Sequence, residues 1–118
     1  MNLEYVYKRI DEMNTDGQIN DHYIKGIIKL FDNQTITTPS VVPSEMNGIS
    51  LIWHKKGCDV EIDFDPNETF VWVRNKETRE YTSSTLFELW GYVQHVLVSD
   101  FFYNPYNIPA SWVKIDTL

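Results

Sequence analysis

Residues 58–65, Cys-Asp-Val-Glu-Ile-Asp-Phe-Asp, alternate apolar and acidic side chains without a break from Asp59 onward. Successive side chains of a β-strand point to opposite faces. The pattern therefore predicts a strand with Val60, Ile62 and Phe64 on one face and Asp59, Glu61, Asp63 and Asp65 on the other. Alternate residues of a strand lie about 6.6 Å apart, so the four carboxylates form a directional negative edge.

Upstream, Leu3, Val6, Tyr7, Ile10 and Met13 recur at the spacing of one helical face. After the turn residues Asn14-Thr15-Asp16-Gly17, a second helix is expected with Asn20 or Asp21 as N-cap. It ends near Asp32-Asn33 and carries Tyr23, Ile24, Ile27, Ile28 and Phe31 on one face. Gly26 inside it either costs about 1 kcal/mol of propensity or marks close packing. Residues 1–33 thus read as a helical hairpin and 34–47, rich in Thr, Ser and Pro, as a connector that can hold a short edge strand at Val41-Val42.

Residues 48–82 read as an antiparallel meander of three to five strands: Ile49–His54, the acidic strand, Thr69–Arg74 and Arg79–Thr82, joined by turns at Lys55-Lys56-Gly57, Asp65-Pro66-Asn67-Glu68 and Asn75-Lys76-Glu77-Thr78. Arg74, Arg79 and the Lys55-Lys56 turn are placed to neutralise part of the acidic row across strands, which would make that part structural. Thr85-Leu86-Phe87-Glu88 matches a capping box and opens a helix within 85–100 that groups Leu86, Leu89, Trp90, Val93, Val96 and Leu97. This helix is expected to cover the sheet face bearing Val60, Ile62 and Phe64. The tail, 101–118, holds Phe101, Phe102, Tyr103, Tyr106 and Trp112, and either packs back on the domain or presents a ring-rich surface to a partner. The architecture expected is α+β, one domain over residues 1–118.

Charge narrows the functions. Ten Lys and Arg against 17 Asp and Glu give a formal net charge of −7. Direct nucleic-acid binding is disfavoured, because it draws on a basic face that displaces counterions. A protein partner with a basic surface, itself a possible nucleic-acid binder, suits the charge, and the acidic strand could mimic nucleic acid toward it. The single cysteine, Cys58, excludes an intramolecular disulfide, and no apolar run reaches the ~18 residues of a membrane span. A cytoplasmic protein that does not bind membranes is expected.

Motifs for chemistry are sparse. Asp63-x-Asp65-x-Asn67 fits the start of a calcium loop, but Glu68 stands where glycine is required and Arg74 where the bidentate glutamate belongs. Asp63, Asp65 and Glu68 can still converge on a divalent ion at the turn, and Asp59–Glu68 supply the carboxylates of an alternative metal-dependent hydrolase or nuclease. Those acids lie along one strand instead of converging from several elements. His54 and Cys58 flank one turn as a conceivable nucleophile pair exposed at a hairpin tip. His22 and His95 have no partner at metal-ligand spacing, and no phosphate loop or nucleophile elbow is present. No catalytic residue, cofactor or metal is expected.

The run Pro39…Pro43-x-x-x-x-Gly48-Ile49-x-Leu51-x-Trp53, followed by Val60-Glu61-Ile62-x-Phe64, resembles a pattern in short uncharacterised bacterial proteins that begin with a helical hairpin. The resemblance covers under half the chain, implies a prokaryotic or phage origin and carries over no catalytic residue. The aromatic tail departs from that pattern.

The functional expectation is a non-enzymatic binding module of the inhibitor kind, such as an anti-defence or anti-CRISPR protein, an antitoxin or an immunity protein. Asp59, Glu61, Asp63, Asp65 and Glu68 would supply charge, and Trp72, Phe101, Tyr103, Tyr106 and Trp112 short-range affinity. The other alternative is a structural subunit that oligomerises through its tail.

Overall fold

The computed structural model describes residues 1–14, 17, 19–32, 36–44, 47–66 and 68–99, apart from the side chains of Leu89 and Ser99. The tail with Phe101, Tyr103, Tyr106 and Trp112 lies outside the described residues. The elements run α1 (Leu3–Met13), α2 (Asp21–Phe31), β1 (Ser40–Pro43), β2 (Ile49–His54), β3 (Cys58–Phe64), β4 (Thr69–Asn75), β5 (Tyr81–Thr85) and α3 (Leu86–Ser99). The five strands form one antiparallel sheet in sequence order, the meander expected of such short connections. The fold is α+β.

Local chemistry sets the helix starts. Asn2 and Asn20 each accept the backbone N–H three residues on, from Tyr5 and Tyr23 at 3.1 Å, so Asn20 and not Asp21 caps α2. Asn14 bonds Ile19 through both its amide groups and closes the turn between the first two helices. At α3 the Glu88 N–H donates to Thr85 Oγ1 at 3.3 Å, while the Glu88 carboxylate accepts from Ser84 Oγ at 2.6 Å.

One apolar core joins the helices to one face of the sheet. Val6 and Ile10 of α1, Ile24, Ile28 and Phe31 of α2, and Val93, Val96 and Leu97 of α3 meet Leu51, Val60, Ile62, Phe64, Val71 and Val73. Phe31 packs on Trp90 with ring centroids 4.6 Å apart, linking α2 to α3. Arg9 donates to the Val41 carbonyl and pins β1 to α1. Lys25 bonds Asp11 at 2.7 Å and lies over the Tyr7 ring, binding α1 to α2.

Two expectations need correction. Tyr23, placed on the buried face of α2, is 51% exposed, because Ile24, Ile28 and Phe31 form the buried stripe and Tyr23 lies at its margin. The last strand begins at Tyr81 and not at Arg79. The Asn75 side chain accepts from the Glu77 and Thr78 N–H groups and Asn75 N–H donates to the Glu80 carbonyl, so the turn takes residues 76–79. Arg79 then adopts a left-handed φ of 65°.

Gly26 and Gly48 predict opposite outcomes for the same change. Among the described residues, no atom outside its own helical turn lies within 4 Å of a Cβ built on Gly26, so no close packing is marked there, and Gly26→Ala is expected to stabilise the protein by about 1 kcal/mol. A Cβ on Gly48 would stand 2.1 Å from the Phe64 carbonyl oxygen and 2.9 Å from Asp65 Cα, both backbone atoms. Gly48→Ala is expected to destabilise by more than about 2 kcal/mol. Urea unfolding of the two variants checks both signs.

Candidate functional site

The face of the sheet opposite the core carries the candidate site. Directly paired residues share a face, and the register sets Asp59 between His54 and Arg74, Glu61 between Ile52 and Trp72, and Asp63 between Ser50 and Phe70. Arg74 in turn pairs Tyr81, whose ring stacks on Trp72 at 5.5 Å and 27°. The burial of β3 alternates strictly, with Cys58, Val60, Ile62 and Phe64 buried and the three acids between them half-buried. The expected row of carboxylates is present, interleaved with the rings of Phe70, Trp72 and Tyr81. Phe70 and Tyr81 were not anticipated, although Phe70, Trp72 and Arg74 alternate with Val71 and Val73 as plainly as the acids alternate with their neighbours.

The row is not uniform in charge. Asp59, with only 15% of its side chain exposed, receives Arg74 Nη2 at 2.5 Å and His54 Nδ1 at 3.0 Å, with Lys76 Nζ at 3.6 Å. Burial pushes the Asp59 carboxyl upward, but the hydrogen bonds from Arg74 and His54 and the charges of Lys76 and Arg74 outweigh it and hold it below the ordinary aspartate value. Asp59 therefore belongs to the protein's own ion-pair cluster and is not a free docking charge. The Lys55 amine, expected on the acidic row, instead caps the Leu97 carbonyl near the C-terminus of α3, where a cation meets the negative end of the helix. Lys76, absent from the expected neutralisers, donates to the Lys55 carbonyl as well.

At the other end of β3 the partners are uncharged. Asp63 accepts from Ser50 Oγ at 2.6 Å and Asp65 from Ser44 Oγ at 2.8 Å, and Ser44 Oγ also accepts the Gly48 N–H. A hydroxyl orients a carboxylate without cancelling its charge. Among the described residues, no Lys or Arg nitrogen comes within ion-pair distance of Asp63, Asp65 or Glu68, and Glu68 is exposed in the adjoining turn. Repulsion between carboxylates about 6.6 Å apart is only about 0.6 kcal/mol in water, less than one charge-assisted hydrogen bond supplies.

The remaining candidates are separated by the fold. Cys58 is fully buried on the core face, whereas His54 is exposed on the opposite one, so the pair at the β2–β3 turn cannot act together. The reason is parity, since an odd pairing offset places His54 opposite Asp59 and sends Cys58 inward. Among the described residues, no three His, Cys, Asp or Glu side chains come together to hold a metal ion, so Asp63, Asp65 and Glu68 do not converge. A cleft of about 400 Å³ that the sequence does not reveal runs between α2 and α3, with Phe64 among its walls and Tyr23, Ile27, Trp90 and the 92% exposed Phe87 along it. Comparison with protein-family models, curated proteins and solved structures finds no match for this chain.

Asp59 provides a pH test of the charged cluster. Its carboxyl titrates lower in the folded than in the unfolded chain, so its contribution is complete above about pH 4 and is lost as the pH falls through the folded value. Asp59→Asn is expected to cost about 1–2 kcal/mol at pH 7. The gap from wild type should close below about pH 4, as read by urea unfolding at a series of pH values.

Proposed function

We propose that this chain is a non-enzymatic binding protein that docks the open face of its sheet on a basic surface of a partner protein, in the manner of inhibitors, antitoxins and immunity proteins. The observation that carries this reading is the state of Asp63 and Asp65, which are oriented by serine hydroxyls and lack a countercharge among the described residues, with Asp63 paired to Phe70 on the face that also carries Trp72.

Each part of that arrangement has a separate physical consequence. Carboxylates fixed by neutral donors keep their field and lose little rotamer entropy on docking, so they favour fast, oriented encounter with a cationic surface. Phe70, Trp72 and Tyr81 supply apolar area that partner contact removes from water, and Trp and Tyr dominate the energetics of such interfaces. Asp59 takes no direct part, because its charge is already spent on Arg74, His54 and Lys76.

The test is affinity capture from cells of the source organism at about 0.1 M and 0.5 M salt, where screening lengths differ about twofold. Wild type should retain a basic protein that high salt releases. The double variant Asp63→Asn, Asp65→Asn keeps an acceptor for each serine and is expected to lose at least tenfold in affinity, as is Trp72→Ala, whereas Asp59→Asn should retain the partner. Equal capture by the Asp63/Asp65 variant and wild type would sink the proposal.

A further inference from the structure

The sheet ends at β1 and β5, and an edge strand offers its outer backbone groups to another chain unless something closes it. The two edges differ. In an antiparallel strand the backbone groups face a given neighbour at every second residue. Ser44 N–H donates to the Gly48 carbonyl at 2.9 Å, so Ser44 and Val42 face β2 while Val41 and Pro43 face outward. Proline has no N–H to offer, and the Val41 carbonyl accepts from Arg9 at 3.1 Å. That edge is closed.

At β5 the same alternation leaves the edge open. Asn75 N–H donates to the Glu80 carbonyl at 2.7 Å, which turns Thr82 and Ser84 toward β4. The N–H and C=O of Tyr81 and Ser83 and the N–H of Thr85 then point away from the sheet, and among the described residues these groups have no partner. The strand Tyr81-Thr82-Ser83-Ser84-Thr85 contains no proline and no charge, and Ser83 is exposed.

The geometry points to β5 as the docking edge for an extended basic segment of the partner protein, paired antiparallel as a sixth strand with a lysine or arginine opposite Thr85. This rests on the protein-docking reading and adds how the partner is held. Directly paired residues share a face. A side chain opposite Thr85 therefore continues the row Thr85, Phe70, Asp63, and one opposite Ser83 the row Ser83, Trp72, Glu61. Each row passes from a small hydroxyl residue through a ring to a carboxylate. A long cationic stem laid across the hydroxyl residue meets the ring face and carries its charge toward the acid. Three strand spacings, about 14 Å, separate the added backbone from that of Asp63, and the two side chains close most of the gap. Residues 58–73 and 80–99 hold no Lys or Arg, so the charges that these strands and α3 bring to Ser83 and Thr85, namely Glu61, Asp63 and Glu88, are all negative. At the Tyr81 end Arg74, Lys76 and Arg79 stand against Asp59, Glu77 and Glu80, and Arg74, the direct neighbour of Tyr81, repels a cation placed opposite it. The basic residues of the docked segment thus lie toward Thr85, which in antiparallel pairing is its N-terminal half.

The experiment uses the full chain and the blocked peptide Lys-Val-Lys-Val-Thr-Val-Thr, whose first and third residues fall opposite Thr85 and Ser83, with a control carrying Glu for Lys. In the free chain the amides of Ser83 and Thr85 should exchange fast. The Lys peptide at about 5 mM should slow them and shift residues 81–85, with a dissociation constant on the order of 1 mM, and the Glu peptide should bind at least tenfold more weakly. N-methylation of the third peptide residue removes the donor to the Ser83 carbonyl and should abolish binding. Asp63→Asn should weaken the Lys peptide at least twofold. Ser83→Pro closes this edge as Pro43 closes β1, leaves the ladder to β4 intact, and should bind neither the peptide nor the partner. A partner retained by Ser83→Pro but lost by the Asp63→Asn, Asp65→Asn variant would overturn the edge and leave the docking reading standing. If wild type captures no partner, the docking reading fails and the peptide shifts still decide the edge. No shift at about 5 mM, equal binding of the Glu peptide, or slow exchange of Ser83 and Thr85 in the free chain also overturns the proposal. Slow exchange in a dimer would assign the edge to a second copy, and in a monomer to the chain's own tail.

Discussion

Everything in this fold turns on the parity of β3. It is the middle strand, hydrogen-bonded to β2 and β4 along its full length, and its apolar and acidic residues alternate without exception. A slip of one residue would turn Val60, Ile62 and Phe64 to water and drive three carboxylates into the core. Fully burying each of those apolar side chains is worth about 1.5–3 kcal/mol, and an unpaired buried carboxylate costs several more, so a single register is selected by a wide margin. Gly48 adds a steric lock at the far end. Its missing side chain lets the β1–β2 turn lie against the Phe64 carbonyl and bring Ser44 to Asp65.

Once parity is set, the charges sort along the strand. Arg74 and Lys76 gather at Asp59, where β4 leaves the sheet, while Ser50 and Ser44 meet Asp63 and Asp65 where β1 and β2 join. Helix α3 is aligned with this polarity. Its N-terminus follows Thr85, the partner of Phe70 beside Asp63, and its C-terminal turn reaches Lys55. The partial positive charge of a helix start thus lies toward the acidic end and the partial negative charge of its finish toward the cationic end, an arrangement that stabilises both.

Among the described residues, the face opposite the core therefore carries an ion-paired end at Asp59 and a hydroxyl-bonded end at Asp63 about 13 Å apart, with the Trp72–Tyr81 stack beside them. Such a face orients whatever meets it, because a uniformly basic surface is attracted at one end and repelled at the other. This polarity is invisible in the net charge, which averages over a molecule larger than the distance across which ions in water screen one another. No helix of the described residues is long and apolar enough to cross a membrane.

What the amino-acid sequence by itself determined is whatever depends on neighbours a few residues apart: the helical stripes of Val6 and Ile10 and of Ile24, Ile28 and Phe31, the strands, the alternation in β3, the hydroxyl at Thr85 that opens α3. Even the suggestion that Arg74 would meet the acidic row was legible, since short turns force adjacent strands to pair. Only the tertiary structure decided which carboxylates meet the protein's own cations. That Lys55 leaves the row for a helix 42 residues away, that Lys76 replaces it, that Cys58 turns inward and His54 outward, and that serines meet Asp63 and Asp65, all follow from pairing offsets and turn lengths. Local periodicity says which face a side chain takes. Coulomb and hydrogen-bond partners are set by distance across strands, and one residue more or less in a turn reassigns every one of them.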